Sequence, residues 1–161
     1  MPAESPLPVT TISRSVEVAA SADEAWRLVS DLPRMGELSP ENVGGRWLAG
    51  ATGPAVGARF QGNNRRGWRR WSTQVEVTAS EPGRRFAFDV SSLGLPVATW
   101  AYDVAPAGEG GCTVTETWVD RRGRLITTMG VLATGVRDRG AFTALNIDHT
   151  LQRIAAALAP E

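Results

Sequence analysis

Residues Gly140–Pro160 read GAFTALNIDHTLQRIAAALAP. Ile147, Leu151, Ile154 and Leu158 recur at spacings of four, three and four, which sets four aliphatic side chains on one stripe of an α-helix. Ala155, Ala156 and Ala157 favour the same conformation because they lose little side-chain entropy in it. Pro160 stops the run, and Gly140 marks a break near its start. Asn146, His149 and Arg153 fall on the other side, so the helix has one apolar face and one wet face. Such a helix needs a large apolar partner, and almost everything before it reads as β-strand. The expected arrangement is a curved sheet closed over this one helix.

The strands are legible from period-two alternation. Over Thr10–Ala19, Ile12, Arg14, Val16 and Val18 share one face, with Arg14 the odd member. Ser21 followed by Glu24 has capping-box spacing and predicts a helix with Ala25, Leu28, Val29 and Leu32 buried and Trp26 at the edge. Pro33 ends it, and Arg34–Glu41 reads as a short turn or second helix. Further strands are expected over Gly45–Ala49, Ala58–Asn64, Trp68–Ser80, Arg84–Val90, Val97–Ala105 and Cys112–Val119. Arg65, Arg66 and Gly67 form a charged hairpin tip, and Ser91–Pro96 a loop. Leu125–Val136 is either the beginning of the terminal helix or a separate one. A run of strands followed by a helix indicates α+β. The reading is a helix-grip fold: about seven antiparallel strands around a long C-terminal helix, with two short helices after strand 1. Residues 1–9 are expected to be a flexible tail and 10–161 a single domain. A sheet that curls far enough leaves a cavity against the helix.

Composition narrows the function. Seventeen arginines balance seventeen carboxylates, so the net charge is zero, which disfavours a nucleic-acid partner. There is no lysine, which excludes Schiff-base chemistry. One cysteine, Cys112, cannot form an internal disulfide, and one histidine with one cysteine does not make a zinc site of the usual kind. Neither a metal nor a cofactor is expected. The N-terminus lacks the basic and apolar segments of a signal peptide, and no stretch reaches the ~20 apolar residues of a membrane span. The expectation is a cytoplasmic protein, monomer or homodimer, without membrane insertion.

Glu116 lies between Val114 and Trp118 on the inner face of the last strand, where a carboxylate is costly unless paired. If the first and last strands are neighbours, Arg14 can meet it. An inward Arg14–Glu116 pair would be a polar anchor or acid/base group, or simply a structural ion pair. Tyr102 is a second proton donor or acceptor candidate. Phe60 shares a face with Ala58, Gly62 and Asn64, while Trp71, Phe88, Trp100, Tyr102 and Trp118 occupy apolar faces of consecutive strands. Together they would line a pocket for a flat ligand, or form ordinary core. His149 is the sole histidine, but its place beside Asn146 and Arg153 turns it to solvent. Arg65, Arg66, Arg69 and Arg70 surround Trp68 and Trp71, a pattern that suits an anionic head group, a nucleic acid or a solvated tip.

The phrases SVEVAASADEAWRLVSDLPRMGELSP, GPAVGARFQGNN, RRWSTQVEVTASEPGRRFAFDV and GGCTVTETW, with the terminal helix, resemble the START-like (SRPBCC) superfamily in its polyketide cyclase/dehydrase branch. The resemblance spans roughly Thr10–Ala159 and implies a deep, mostly apolar pocket for lipids, polyketides or other ring compounds. It also places Phe142 and Thr150 where aromatase/cyclases carry polar helix residues. Thr150 can hydrogen-bond a ligand, whereas Phe142 cannot serve as acid or base. The leading expectation is binding of a small hydrophobic molecule. The alternatives are a polyketide cyclase, aromatase or dehydratase using Glu116 or Tyr102, and an interaction module that docks through the Arg/Trp hairpin.

Overall fold

The computed structural model describes residues 9–161, so most of the expected tail lies outside the described residues. The chain runs β1 (Thr11–Val18), α1 (Ala22–Val29), a 3-10 helix (Leu32–Glu37), β2 (Asn42–Trp47), β3 (Arg59–Arg66), β4 (Arg69–Glu81), β5 (Arg85–Ser92), β6 (Leu95–Ala107), β7 (Gly111–Asp120), α2 (Arg124–Thr134) and α3 (Arg139–Ala157). All neighbouring strands are antiparallel, in the order β1-β7-β6-β5-β4-β3-β2. The first and last strands are therefore adjacent, as the helix-grip reading requires. Register shifts at Asn42/Gly45, Val77/Ala79 and Val90/Ser91 interrupt the ladders. Each such irregularity bends its strand and adds twist, which curls the sheet toward the helices.

Local chemistry explains most boundaries. The Ser21 hydroxyl accepts from the Glu24 amide at 3.3 Å, and the Glu24 carboxylate accepts from the Ser21 amide at 2.9 Å, closing the capping box of α1. The Trp26 indole N–H donates to the Arg85 carbonyl at 3.0 Å, so this ring at the helix edge ties α1 to β5. α3 starts one residue before Gly140, capped by the Asp138 side chain, which accepts from the Ala141 amide at 3.0 Å. Its buried stripe is Thr143, Ile147, Thr150, Leu151 and Ile154, with Leu158 only partly buried.

One boundary that the sequence left open is settled, and two expectations need correction. Leu125–Val136 is a separate helix, because Gly135 takes the left-handed conformation (φ 71°) that ends α2 before α3 begins. Ser91–Pro96 is not a loop. β5 and β6 continue to a two-residue tip at Leu93 and Gly94, both with positive φ, as a tight hairpin demands. Leucine in that conformation carries no sequence signal, and Pro96 argued against a strand. Finally, β2 begins at Asn42, three residues earlier than expected, across an irregular stretch at Gly44 and Gly45.

Ile147 and Ile154 are completely buried between α3 and the sheet. Ile147→Ala is expected to cost ~2–5 kcal/mol in denaturant unfolding. His149→Ala, at an exposed position of the same helix, should stay within about 0.5 kcal/mol. Equal losses would show that α3 is not seated as described.

Candidate functional site

A cavity of about 390 Å³ lies between the concave sheet face, α2, α3 and the 3-10 helix. Strand pleating builds its wall, since alternate residues of consecutive strands point to one side. Phe60 comes from β3, Trp71, Thr73 and Val75 from β4, Phe88 and Val90 from β5, Trp100 and Tyr102 from β6, and Glu116 and Trp118 from β7. Thr143, Asn146 and Thr150 face it from α3, and Ile126, Met129 and Ala133 from α2. The expected residues Phe60, Trp71, Phe88, Trp100, Tyr102, Glu116, Trp118 and Thr150 thus meet around one space. The Thr150 hydroxyl donates to the Asn146 carbonyl at 2.9 Å, so its proton serves the helix and only its lone pairs are free for a ligand.

Glu116 is the chemical centre of this wall. It is 2% exposed and stands directly opposite Tyr102 in the β6–β7 ladder. The Tyr102 hydroxyl donates to Glu116 Oε1 at 2.9 Å, while Oε2 is buried without a partner. Burial removes the carboxylate from water and raises its pKa to about 8, against the lowering effect of the Tyr102 hydrogen bond. Burial also pushes the Tyr102 phenol up, helped by Glu116. At neutral pH the pair is therefore a carboxylic acid beside a phenol, with one carboxyl oxygen uncommitted.

The Arg14–Glu116 pair does not form. The two residues are register partners, as neighbouring first and last strands allow. The Arg14 side chain instead turns out of the edge strand, donates to the Ser13 carbonyl at 3.0 Å and lies 3.9 Å from Asp148 on α3. It is half exposed and does not line the cavity. Solvation of the guanidinium at an open edge outweighs pairing with an acid that is neutral inside. His149 is exposed, as its place on the helix predicted.

Several wall groups escaped sequence reading. Arg122 forms a double hydrogen bond with Asp120 at 2.7 and 2.9 Å, and Arg139 binds Glu41 at 3.0 and 3.2 Å; all but Asp120 border the cavity. Burial raises the Asp120 carboxyl, but the Arg122 hydrogen bonds outweigh it and hold the group below its ordinary value. Phe142 is not a ligand-polarising residue. Its ring carries the guanidinium groups of Arg66 and Arg139 at 5.1 and 5.3 Å from its centroid. Asn64 was findable, since it alternates with Phe60 and Gly62. Arg122 and Arg139 read only as charge in turns. Among the described residues no cluster of potential metal ligands occurs, and no helix is long and apolar enough to cross a membrane.

The buried acid has a consequence for stability. Folded Glu116 keeps its proton up to about pH 8, whereas an ordinary glutamate releases it near 4.5. Between these values the folded state binds more protons than the unfolded state, so stability falls as pH rises through this window and levels off above it. The loss approaches ~1.4 kcal/mol per pH unit where the two states differ by a full proton. Glu116→Gln should flatten the dependence of the thermal midpoint on pH between about 4.5 and 8. Parallel curves for the two proteins would refute a buried neutral acid.

Comparison with known proteins agrees with this geometry. The chain is 30% identical to the polyketide-cyclase-like protein Cgl2372 from Corynebacterium glutamicum, with 98% of this chain and 93% of that one covered and a TM-score of 0.66. It shares its fold with ginseng major latex-like protein 151 from Panax ginseng (14% identity, 94% and 99% covered, TM-score 0.70). It also superposes on half of the di-domain aromatase/cyclase StfQ from the steffimycin biosynthetic pathway (15% identity, 93% and 50% covered, TM-score 0.69). No functionally curated protein matches the sequence. Residues 9–159 match the profile of one family, described as polyketide cyclase/dehydrase and lipid transport. The chain belongs to that family.

Proposed function

We propose that the protein binds a small hydrophobic or aromatic molecule, polyketide- or lipid-like, inside this cavity and holds one of its oxygens on Glu116. The observation that carries the reading is the uncommitted Oε2 of a buried, protonated carboxyl in a wall made largely of rings and aliphatic groups. An unpaired buried polar group costs roughly 1–3 kcal/mol, and a ligand carbonyl or hydroxyl accepting the Glu116 proton would recover it. The volume falls in the range that encloses a compound of a few fused rings. Trp71, Trp100 and Trp118 offer flat apolar contact, and Tyr102 fixes the orientation of the acid.

A second reading is favoured by the same pair. An acid with a pKa of about 8 can both give and take a proton near neutrality, as cyclisation, aromatisation or dehydration of a polyketide requires. Glu116 would protonate a carbonyl or departing hydroxyl, and its carboxylate would then remove a proton from the adjacent carbon. With no lysine, and its one cysteine buried away from the cavity lining, the wall supports proton transfer rather than covalent catalysis.

The two readings separate by substitution. Titration of the cavity tryptophans with a hydroxyanthraquinone should show saturable quenching. Glu116→Leu should weaken it about ten-fold, while Glu116→Gln, which still offers an N–H, should bind within a few-fold of wild type. No quenching in the wild type, or none of this loss in Glu116→Leu, would sink the binding site. For the enzyme reading, a linear aromatic-forming polyketide should turn over with wild type and not with Glu116→Gln. Equal turnover, or none in either, would remove Glu116 from catalysis.

A further inference from the structure

The arginine-rich hairpin RRGWRR, residues 65–70, takes no part in the binding described so far. It stands at the end of the sheet where the β3–β4 and β5–β6 tips, the end of β7 and α2 all gather. The cavity reaches the surface at this end, because Leu93 of the β5–β6 tip lines it and is 79% exposed. α2 is apolar on both sides. Ile126, Met129 and Ala133 face the cavity, while Leu125 and Leu132 on the outer side are 64% and 75% exposed. Trp68 is 83% exposed at the hairpin tip, and the Arg69 guanidinium stacks on its ring at 4.7 Å. Arg69 and Arg66 also donate to the Leu132 and Thr134 carbonyls, which joins the hairpin to α2 as one surface.

Asp120 and Glu41 are matched by Arg122 and Arg139, and the charge left uncompensated around these apolar groups is of one sign. Arg65 faces Arg70 and Arg66 faces Arg69 across the ladder, an unfavourable juxtaposition in the absence of an anion. Among the described residues none of these four, nor Arg121 and Arg124 beside α2, has a carboxylate within ion-pair distance. At the opposite end Glu17, Asp23, Glu24, Glu81, Asp103 and Glu109 outnumber Arg84 and Arg85, which pair with Glu81 and Asp103. The zero net charge therefore conceals two ends of opposite sign, a distribution that orients a molecule on a charged surface.

We infer that the cavity mouth is a docking surface for an anionic phospholipid bilayer, with Trp68, Leu93, Leu125 and Leu132 entering the interface and Arg65, Arg70, Arg121 and Arg124 meeting head groups. Tryptophan at head-group level and arginine beside anionic lipid are both favourable placements. Three of the four apolar groups are aliphatic, so they suit acyl chains rather than stacked bases. Docking in this pose opens the cavity directly onto the lipid, without any segment crossing the bilayer. It goes beyond ligand binding and stands whatever the cavity holds.

The test is flotation of the full chain with phosphatidylcholine vesicles, with and without a minority of phosphatidylglycerol, and with no cavity ligand present. Binding is expected only to the anionic vesicles and should fall as salt is raised. Each of Arg65→Gln and Arg70→Gln should lower partitioning about five-fold. Trp68→Ser should lower it as well, with circular dichroism unchanged. Arg84→Gln at the far end should leave it as in wild type. Equal binding to neutral vesicles, no vesicle binding, or indifference to the hairpin substitutions would overturn the inference. So would displacement from anionic vesicles by a single-stranded oligonucleotide at lower concentration than by a polyphosphate of equal charge, which would reassign the surface to nucleic acid.

Discussion

One mismatch of lengths shapes this protein. β4 and β6 have thirteen residues each, and a strand of that length spans about 43 Å. α3 has nineteen residues and spans about 28 Å. A single helix cannot cover the concave face of such strands. Where α3 lies against the sheet, Ile147, Leu151 and Ile154 are buried in the hydrophobic core. Toward the other end Thr143, Asn146 and Thr150 of α3 share the roof with α2 and the 3-10 helix, and the space beneath them is the cavity. The division between core and hollow follows from geometry before any side chain is chosen for binding.

The side chains then give the hollow its character. Aromatic and aliphatic groups exclude water from the wall, and that exclusion keeps Glu116 protonated. The same carboxyl on an exposed strand would be an ordinary anion. Tyr102 satisfies one oxygen and leaves the other, so the site is polar at one point and apolar around it. The ion pairs Asp120–Arg122 and Glu41–Arg139 border this region with their charges already matched. They brace the outer part of the wall without committing it to an anionic guest.

Opposite charges at the two ends sit on a framework that is otherwise neutral. Antiparallel hairpins place alternate turns at alternate ends, so RRGWRR and the glutamates near the β4–β5 and β6–β7 turns are separated by the length of the sheet. A count of charges over the whole chain hides this, because it discards position.

The sequence alone was enough for the architecture. Strand periodicity, the Ser21–Glu24 box and the Ile147–Leu158 stripe are local patterns, and local patterns survive without coordinates. They also placed the aromatic residues and Glu116 on the inner face, since pleating alternates sides with every residue. What only tertiary structure decided was pairing and position between distant elements. Arg14 and Glu116 are in register, yet one is solvated at an edge and the other is dry, a difference set by what lies over each strand. Tyr102 and Glu116 form one unit because β6 and β7 bring them opposite each other, across fourteen residues of chain. The roof over the cavity came from α2, a helix with apolar residues on both sides and no capping side chain, whose role depends on where the sheet ends and not on its own sequence.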